Sequence, residues 1–79
     1  MDKGGLKMRD KIISLIENTL NLENGTINEN TKIDEVEGWD SLAHVLIIGG
    51  LESDLGISIP LDEAIEIMSV GELFEKAGV

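Results

Sequence analysis

Met8, Ile12, Leu15, Ile16 and Leu20 recur at helical spacing, and Ile13 widens the stripe they form. The pattern predicts an amphipathic helix from about Leu6 to Asn21, ended by asparagine-rich sequence with Gly25 soon after. From Leu22 to Gly38 neither a helical nor a strand period persists. Asn24-Gly25, Asn28, Asn30 and Gly38 mark turns there, while Leu22, Ile27, Ile33 and Val36 are scattered apolar residues able to pin the segment to a core. Such a stretch is long for a loop in a compact domain, so at most one short element is expected inside it.

Asp40 and Ser41 open a second helix that runs to about Leu55, and either residue can cap its first turn through a side-chain oxygen. Gly56 stands where a left-handed C-terminal cap is wanted, and Pro60 follows shortly. Ile57 and Ile59 alternate with Ser58 but are too short to make a sheet. Asp62 to Ile67 reads as one or two helical turns. Ser69 and Glu72 have the capping-box spacing and start a last short helix through Lys76, with Val70, Leu73, Phe74 and Ala77 facing inward. The expected fold is an all-α bundle of three longer helices and one short one, joined by a long loop after the first.

The chain of 79 residues is expected to form a single domain, residues 1–79, with Met1 to Leu6 a flexible lead-in. Its apolar fraction of 42% is enough for one compact core but not for a deep cleft walled on all sides, so a self-sufficient enzyme is not expected. The absence of cysteine excludes a disulfide framework, a thiolate zinc site and a cysteine nucleophile. No apolar run approaches the ~18 residues of a membrane span, and no signal peptide is recognisable. A soluble cytoplasmic protein is expected, and in the absence of any oligomeric signal, a monomer.

The formal charge of −10 disfavours nucleic acid and anionic membranes, both of which need a basic patch. Lys3, Lys7, Arg9 and Lys11 crowd the start of the chain, whereas no Lys or Arg falls between Ile33 and Glu75. That acidic stretch reads either as a solubilising surface or as a docking face for basic partners.

Placing Ser41 at the origin of a helical wheel, Val45, Ile47, Ile48, Leu51 and Leu55 form the expected buried stripe of the second helix. Leu42 and Leu46 fall with Gly49 and Ser53 on a face turned away from it, beside a serine and among acids, which marks a protein-contact patch. Gly50 falls on the side away from the core. Ser41 itself has three readings. As a cap it is ordinary. As a hydrolase nucleophile it lacks the glycine-serine-glycine elbow and a preceding strand, and His44, the one base at hand, falls on the buried side as a half-buried packing residue. As an attachment point it would hold a phosphodiester against free backbone N–H groups and the positive end of the helix dipole.

Gly38-Trp39-Asp40-Ser41-Leu42, followed by an apolar helix, resembles the attachment motif of acyl carrier proteins. The stretch from Leu51 to Pro60 is similar to the acidic end of their second helix and the following turn, and Ser69 to Leu73 to the start of their last helix. Length, acidity, the long first loop and the helix order agree. The resemblance implies an acyl-carrier-like four-helix bundle with 4′-phosphopantetheine on Ser41, transferred from coenzyme A by a separate phosphopantetheinyl transferase. The terminal thiol of the arm would hold an acyl group as a thioester and present it to partner enzymes, so the thiol chemistry would arrive with the cofactor.

The same resemblance implies that Asp40 helps position the serine and the magnesium-bound coenzyme A during loading. It also implies a partner-recognition face of Leu42, Leu46, Glu52, Asp54 and Glu63, toward which basic surfaces of acyl-loading and acyl-transfer enzymes would steer. No residue is assigned to catalysis or to a resident metal. Leu46 stands where many fatty-acid-synthesis carriers have an acid, and Gly49 where they often have a bulky apolar residue; Trp39 to His44 looks more like discrete carriers of specialised pathways. The Gly49-Gly50 pair leaves three uses open: a closer helix contact, room for an acyl chain, or a soft helix. Two other functions compete with the acyl carrier: an aminoacyl or peptidyl carrier, and an unmodified acidic scaffold that binds a basic partner.

Overall fold

A computed structural model of the chain describes the backbone of residues 4–79 and the side chains of residues 8–79. It contains helix α1 (Gly4–Leu20), a 3₁₀ turn (Ile33–Glu35), α2 (Ser41–Leu55), α3 (Leu61–Ala64) and α4 (Val70–Ala77). The expected all-α bundle is therefore present, with three longer helices, one short one and a single short element in the long loop. Among the described residues there is no strand, only an antiparallel bridge between Lys32 and Ser69.

Helix α1 starts at Gly4, two residues before the sequence pattern placed it, so Gly4, Gly5 and Leu6 belong to the helix rather than to a flexible lead-in. Met1 to Lys3 lie outside the described residues. The other end closes at Asn21, which takes the left-handed conformation at φ 59°. Leu22 N–H then donates to Glu17 O at 2.8 Å and Asn21 N–H to Asn18 O at 3.3 Å, the bond pair of a Schellman cap.

Ile12 and Ile16 of α1, Ile47 and Leu51 of α2, and Val70, Leu73 and Phe74 of α4 make the buried centre. Ile27, Trp39 and Ile59 close it from the connecting segments. The inward face expected for α4 is borne out, with Ala77 packed at its edge. The expected stripe of α2 is rotated. Ile47 and Leu51 are fully buried as expected, but Val45 is 52% exposed and the small Ala43 is buried instead. Gly50 does not face away from the bundle: a Cβ there would stand 3.3 Å from Leu15 Cδ2 of α1. Apolar residues occur nearly all round α2, so periodicity alone gives the helix little direction.

The loop from Leu22 to Gly38 is irregular yet firmly tied. Glu17, the one buried charged side chain among the described residues, accepts through Oε2 from the N–H groups of Gly25 at 3.0 Å, Thr26 at 3.1 Å and Ile27 at 3.4 Å. Further on, Ile33 N–H donates to Met68 O at 2.9 Å, Val70 N–H to Thr31 O at 3.0 Å and Gly71 N–H to Glu29 O at 2.9 Å. The loop's backbone groups are thus satisfied by α1 on one side and the start of α4 on the other.

Two local assignments change. Helix α3 covers only Leu61–Ala64, shorter than Asp62 to Ile67, because the chain after Ala64 continues in tighter turns with Glu66 N–H on Glu63 O and Ile67 N–H on Ala64 O. Ser69 caps α4 as expected, its Oγ accepting from Glu72 N–H at 3.2 Å. The return bond of the capping box is displaced by one residue: Glu72 Oε1 accepts from Met68 N–H at 2.7 Å.

Candidate functional site

The start of α2 is built from the turn that precedes it. Gly38 at φ 91° turns the chain, and Trp39, only 6% exposed, drives its ring into the core. Asp40 follows in extended geometry and is the N-cap, its Oδ1 accepting from Ala43 N–H at 2.8 Å. The first intrahelical bond runs from His44 N–H to Asp40 O at 2.9 Å. Ser41 is therefore the first residue of the helix and not its cap. It is exposed, and its hydroxyl carries no capping role. The Ser41 and Leu42 N–H groups precede the intrahelical ladder and point toward the same end.

His44 is half-buried, as expected, and bonded at both ring nitrogens. Trp39 Nε1–H donates to His44 Nδ1 at 3.0 Å, and His44 Nε2 lies 2.8 Å from Ala64 O at the end of α3. With both nitrogens engaged by Trp39 and Ala64, the histidine is not a general base for Ser41.

Leu42 at 69% and Leu46 at 57% are exposed, as the wheel placed them, and Val45 joins them. Leu61, Ile65 and Met68, on and just after α3, are also large, apolar and exposed, and the sequence pattern does not mark them as a surface. Their spacing of four and three residues is a helical stripe, but a helix of one turn gives no way to tell from sequence which face goes inward. Ala64 and Ile67 take the inner face.

Of the expected recognition acids, Glu52 is exposed on the Ser41 and Val45 side of α2. Glu63 is exposed on α3 and pairs with Lys76 at 3.8 Å, which also reaches Glu66 at 3.9 Å. Asp54 is not brought to that face. It lines an open groove of about 540 Å³ between α1 and the end of α2, together with Asp10, Lys11, Ser14, Leu15 and Leu55. The groove is at the opposite end of α2 from Ser41, roughly 20 Å along a helix of that length. Among the described residues no cluster of His, Cys, Asp and Glu is disposed to hold a metal, and no helix is long and apolar enough to cross a membrane.

Residues 10–75 match the family described as a phosphopantetheine attachment site. Acyl carrier proteins from two strains of Porphyromonas gingivalis are 30% identical over 69 residues, covering 87% of this chain and 88% of theirs. The chain belongs to the acyl carrier protein family. Its backbone is similar to the solution structure of the holo acyl carrier protein from Geobacter metallireducens, with a TM-score of 0.77, 23% identity, and coverage of 89% of this chain and 80% of that one. The fold and family expected from the resemblance are thus both found. This carrier is not an enzyme, and its cofactor is a covalently attached phosphopantetheine.

Proposed function

We propose that Ser41 is the attachment residue of this acyl carrier protein. The observation that carries the reading is the position of Ser41: exposed, first in α2, free of the capping role, and directly after the capping Asp40. A phosphodiester there would meet the Ser41 and Leu42 N–H groups and the positive end of the helix dipole, so the residues present fit the group. The Asp40 carboxylate, fixed by Ala43 N–H, holds the serine outward and adds a negative charge at the point where the magnesium-bound coenzyme A would approach. The bound arm supplies a thiol, on which acyl groups travel as thioesters.

The exposed Leu42 and Leu46, with exposed acids at Glu52 on the same helix and Glu63 on α3, support a docking face for basic surfaces of a phosphopantetheinyl transferase and of acyl-loading and acyl-transfer enzymes. Asp54, on the groove side, is left out of this face. Val45 is added to it. Fatty-acid, polyketide and related biosynthesis are the pathways that use such carriers. Leu46 and Gly49 in the contact face favour a specialised pathway over the housekeeping carrier. A monomer in the cytoplasm, engaging neither nucleic acid nor membrane, accords with the acidic surface.

The test is mass spectrometry after incubation with coenzyme A and a promiscuous transferase. One phosphopantetheine adduct is expected, located on Ser41, and none on Ser41→Ala, which should remain folded because Asp40 supplies the cap. An adduct on Ser41→Ala would refute the site. No adduct with several transferases would favour an unmodified scaffold.

A further inference from the structure

We infer that His44 is the positioning residue for the attachment turn, a two-ended bridge that holds the Trp39-Asp40-Ser41 segment against the end of α3. The inference rests on the reading of Ser41 as the attachment residue. The chemistry of the two bonds leaves one arrangement of protons. An indole N–H can only donate, so His44 Nδ1 must accept from it and carry no hydrogen. The ring hydrogen then sits on Nε2 and donates to Ala64 O at 2.8 Å. The indole needs the histidine, and Ala64 O, which also accepts from Ile67 N–H at 3.2 Å, takes it as a second donor. The Trp39 ring is almost wholly buried, and an indole N–H so placed requires an acceptor. Ala64 ends α3, and its carbonyl oxygen has a lone pair for each of the two donors.

Topology makes the bridge relevant to Ser41. The Trp39–His44 bond closes the backbone from 39 to 44, and the Asp40–Ala43 bond lies nested inside it. Ser41 and Leu42 are the two residues enclosed by both, and both are exposed. At its other end the same imidazole fixes α3, which bears the exposed Leu61 and is followed by the exposed Ile65. His44 thus couples the turn presenting the serine to the second helix of the apolar surface.

The experiment compares His44→Leu, His44→Gln, Trp39→Phe and the Trp39→Phe/His44→Leu double variant in the full chain. The chain has one Trp and one His, so the indole N–H and imidazole nitrogen resonances are single, unambiguous signals. In the unmodified protein, Nδ1 should show the shift of an unprotonated acceptor and Nε2 that of a protonated nitrogen. His44→Leu should move the indole N–H signal and lower kcat/KM for arm transfer on the order of tenfold, the scale of leaving a buried polar group unpaired. His44→Gln, whose amide both accepts and donates, should restore the rate to within about threefold of the unmodified protein. The losses in Trp39→Phe and His44→Leu should not multiply in the double variant, because both remove the shared Trp39–His44 bond, while His44→Leu also frees Ala64 O. A proton found on Nδ1, a His44→Leu rate equal to the unmodified protein, or losses that simply multiply would overturn the inference. If His44→Leu fails to fold, the ring-nitrogen shifts and the Trp39→Phe rate still decide. Loading of Ser41→Ala would instead refute the attachment assignment, so the two failures are distinct.

Discussion

Leu15 of α1 faces Gly50 of α2, its Cδ2 only 3.3 Å from where a Cβ would stand. The small residue lets the two helices approach, which answers one of the uses open to the glycine pair. An alanine at 50 would gain helix propensity of about 0.5–1 kcal/mol but must push Leu15 aside. Leu15 is half-buried and borders the open groove, so it can yield by a few tenths of an ångström. The two effects nearly cancel. We expect Gly50→Ala to change stability by less than about 0.5 kcal/mol, and to stabilise by about 0.5–1 kcal/mol in a Leu15→Ala background. Denaturant melts of the four proteins in that cycle measure the coupling; equal effects of the substitution in both backgrounds would refute it.

Gly49, one residue earlier, is exposed, and a methyl group added there would meet nothing within 4 Å. Gly49→Ala should therefore deliver the full helix gain, about 0.5–1 kcal/mol. Because it lies on the wheel beside Leu42, the added methyl should also slow acyl transfer with a partner enzyme. A stability gain with unchanged transfer would place the docking surface elsewhere.

The helix order, the caps at Gly56 and Ser69, and the exposure of Leu42 and Leu46 were legible because each is a local signal: a turn residue, a spacing, a position on a wheel. What was not legible depends on partners remote in sequence. Gly50 faces Leu15 of α1, and neither residue advertises the other. Leu61, Ile65 and Met68 are larger than Ala64, so the pattern alone would favour burying the wrong stripe. The His44 bridge requires Trp39 to be buried and Ala64 to end a helix nearby, both products of the finished fold. Glu17 was the readable omission: a carboxylate on the apolar face of α1, followed by an Asn-Gly turn with free amides.

Glu17 supplies a test of how the long loop is held. Removing its carboxylate takes the shared acceptor from the N–H groups of Gly25, Thr26 and the buried Ile27, at about 1–3 kcal/mol for a buried group left unsatisfied. We expect Glu17→Ala to lose about 2–3 kcal/mol and Glu17→Gln, which retains one acceptor oxygen, about 1 kcal/mol. Hydrogen exchange at the Gly25 and Thr26 amides should accelerate in Glu17→Ala ahead of the core amides of α2. Uniform acceleration across the chain would mean that the loop and the bundle open as one unit.

The other anchor of the loop is Gly71. A Cβ there would stand 3.0 Å from Glu29 O, a backbone atom that cannot swing away, while the Gly71 N–H already donates to that same oxygen at 2.9 Å. Gly71→Ala should destabilise by about 1–2 kcal/mol, overpacking outweighing the helix gain. Replacing the exposed Gly49 supplies the control for propensity alone. An alanine at 71 as stabilising as one at 49 would show that the loop carbonyl moves freely.

Charge gives the last expectation. Ten net negative charges sit on a body with a radius of gyration of 11.5 Å, and from Ile33 to Glu75 no base offsets them. Lys76 is the base that meets the α3 region, bridging Glu63 and Glu66 at 3.8 and 3.9 Å, and those contacts are solvent-exposed. Exposed pairs of that kind contribute about 0–1 kcal/mol, while the net charge repels itself throughout the compact state. Screening should therefore stabilise the fold on balance. Raising monovalent salt should raise the thermal midpoint, each 1 kcal/mol gained appearing as roughly 4–8 °C in a domain of this size. Lys76→Gln should lower the midpoint at low salt and steepen its rise with salt, because Glu63 and Glu66 then face each other without a cation between them. Calorimetric scans of both proteins across a salt series decide the matter. A midpoint that stays flat or falls with salt would mean that the Lys76 contacts and others like them already compensate the acids.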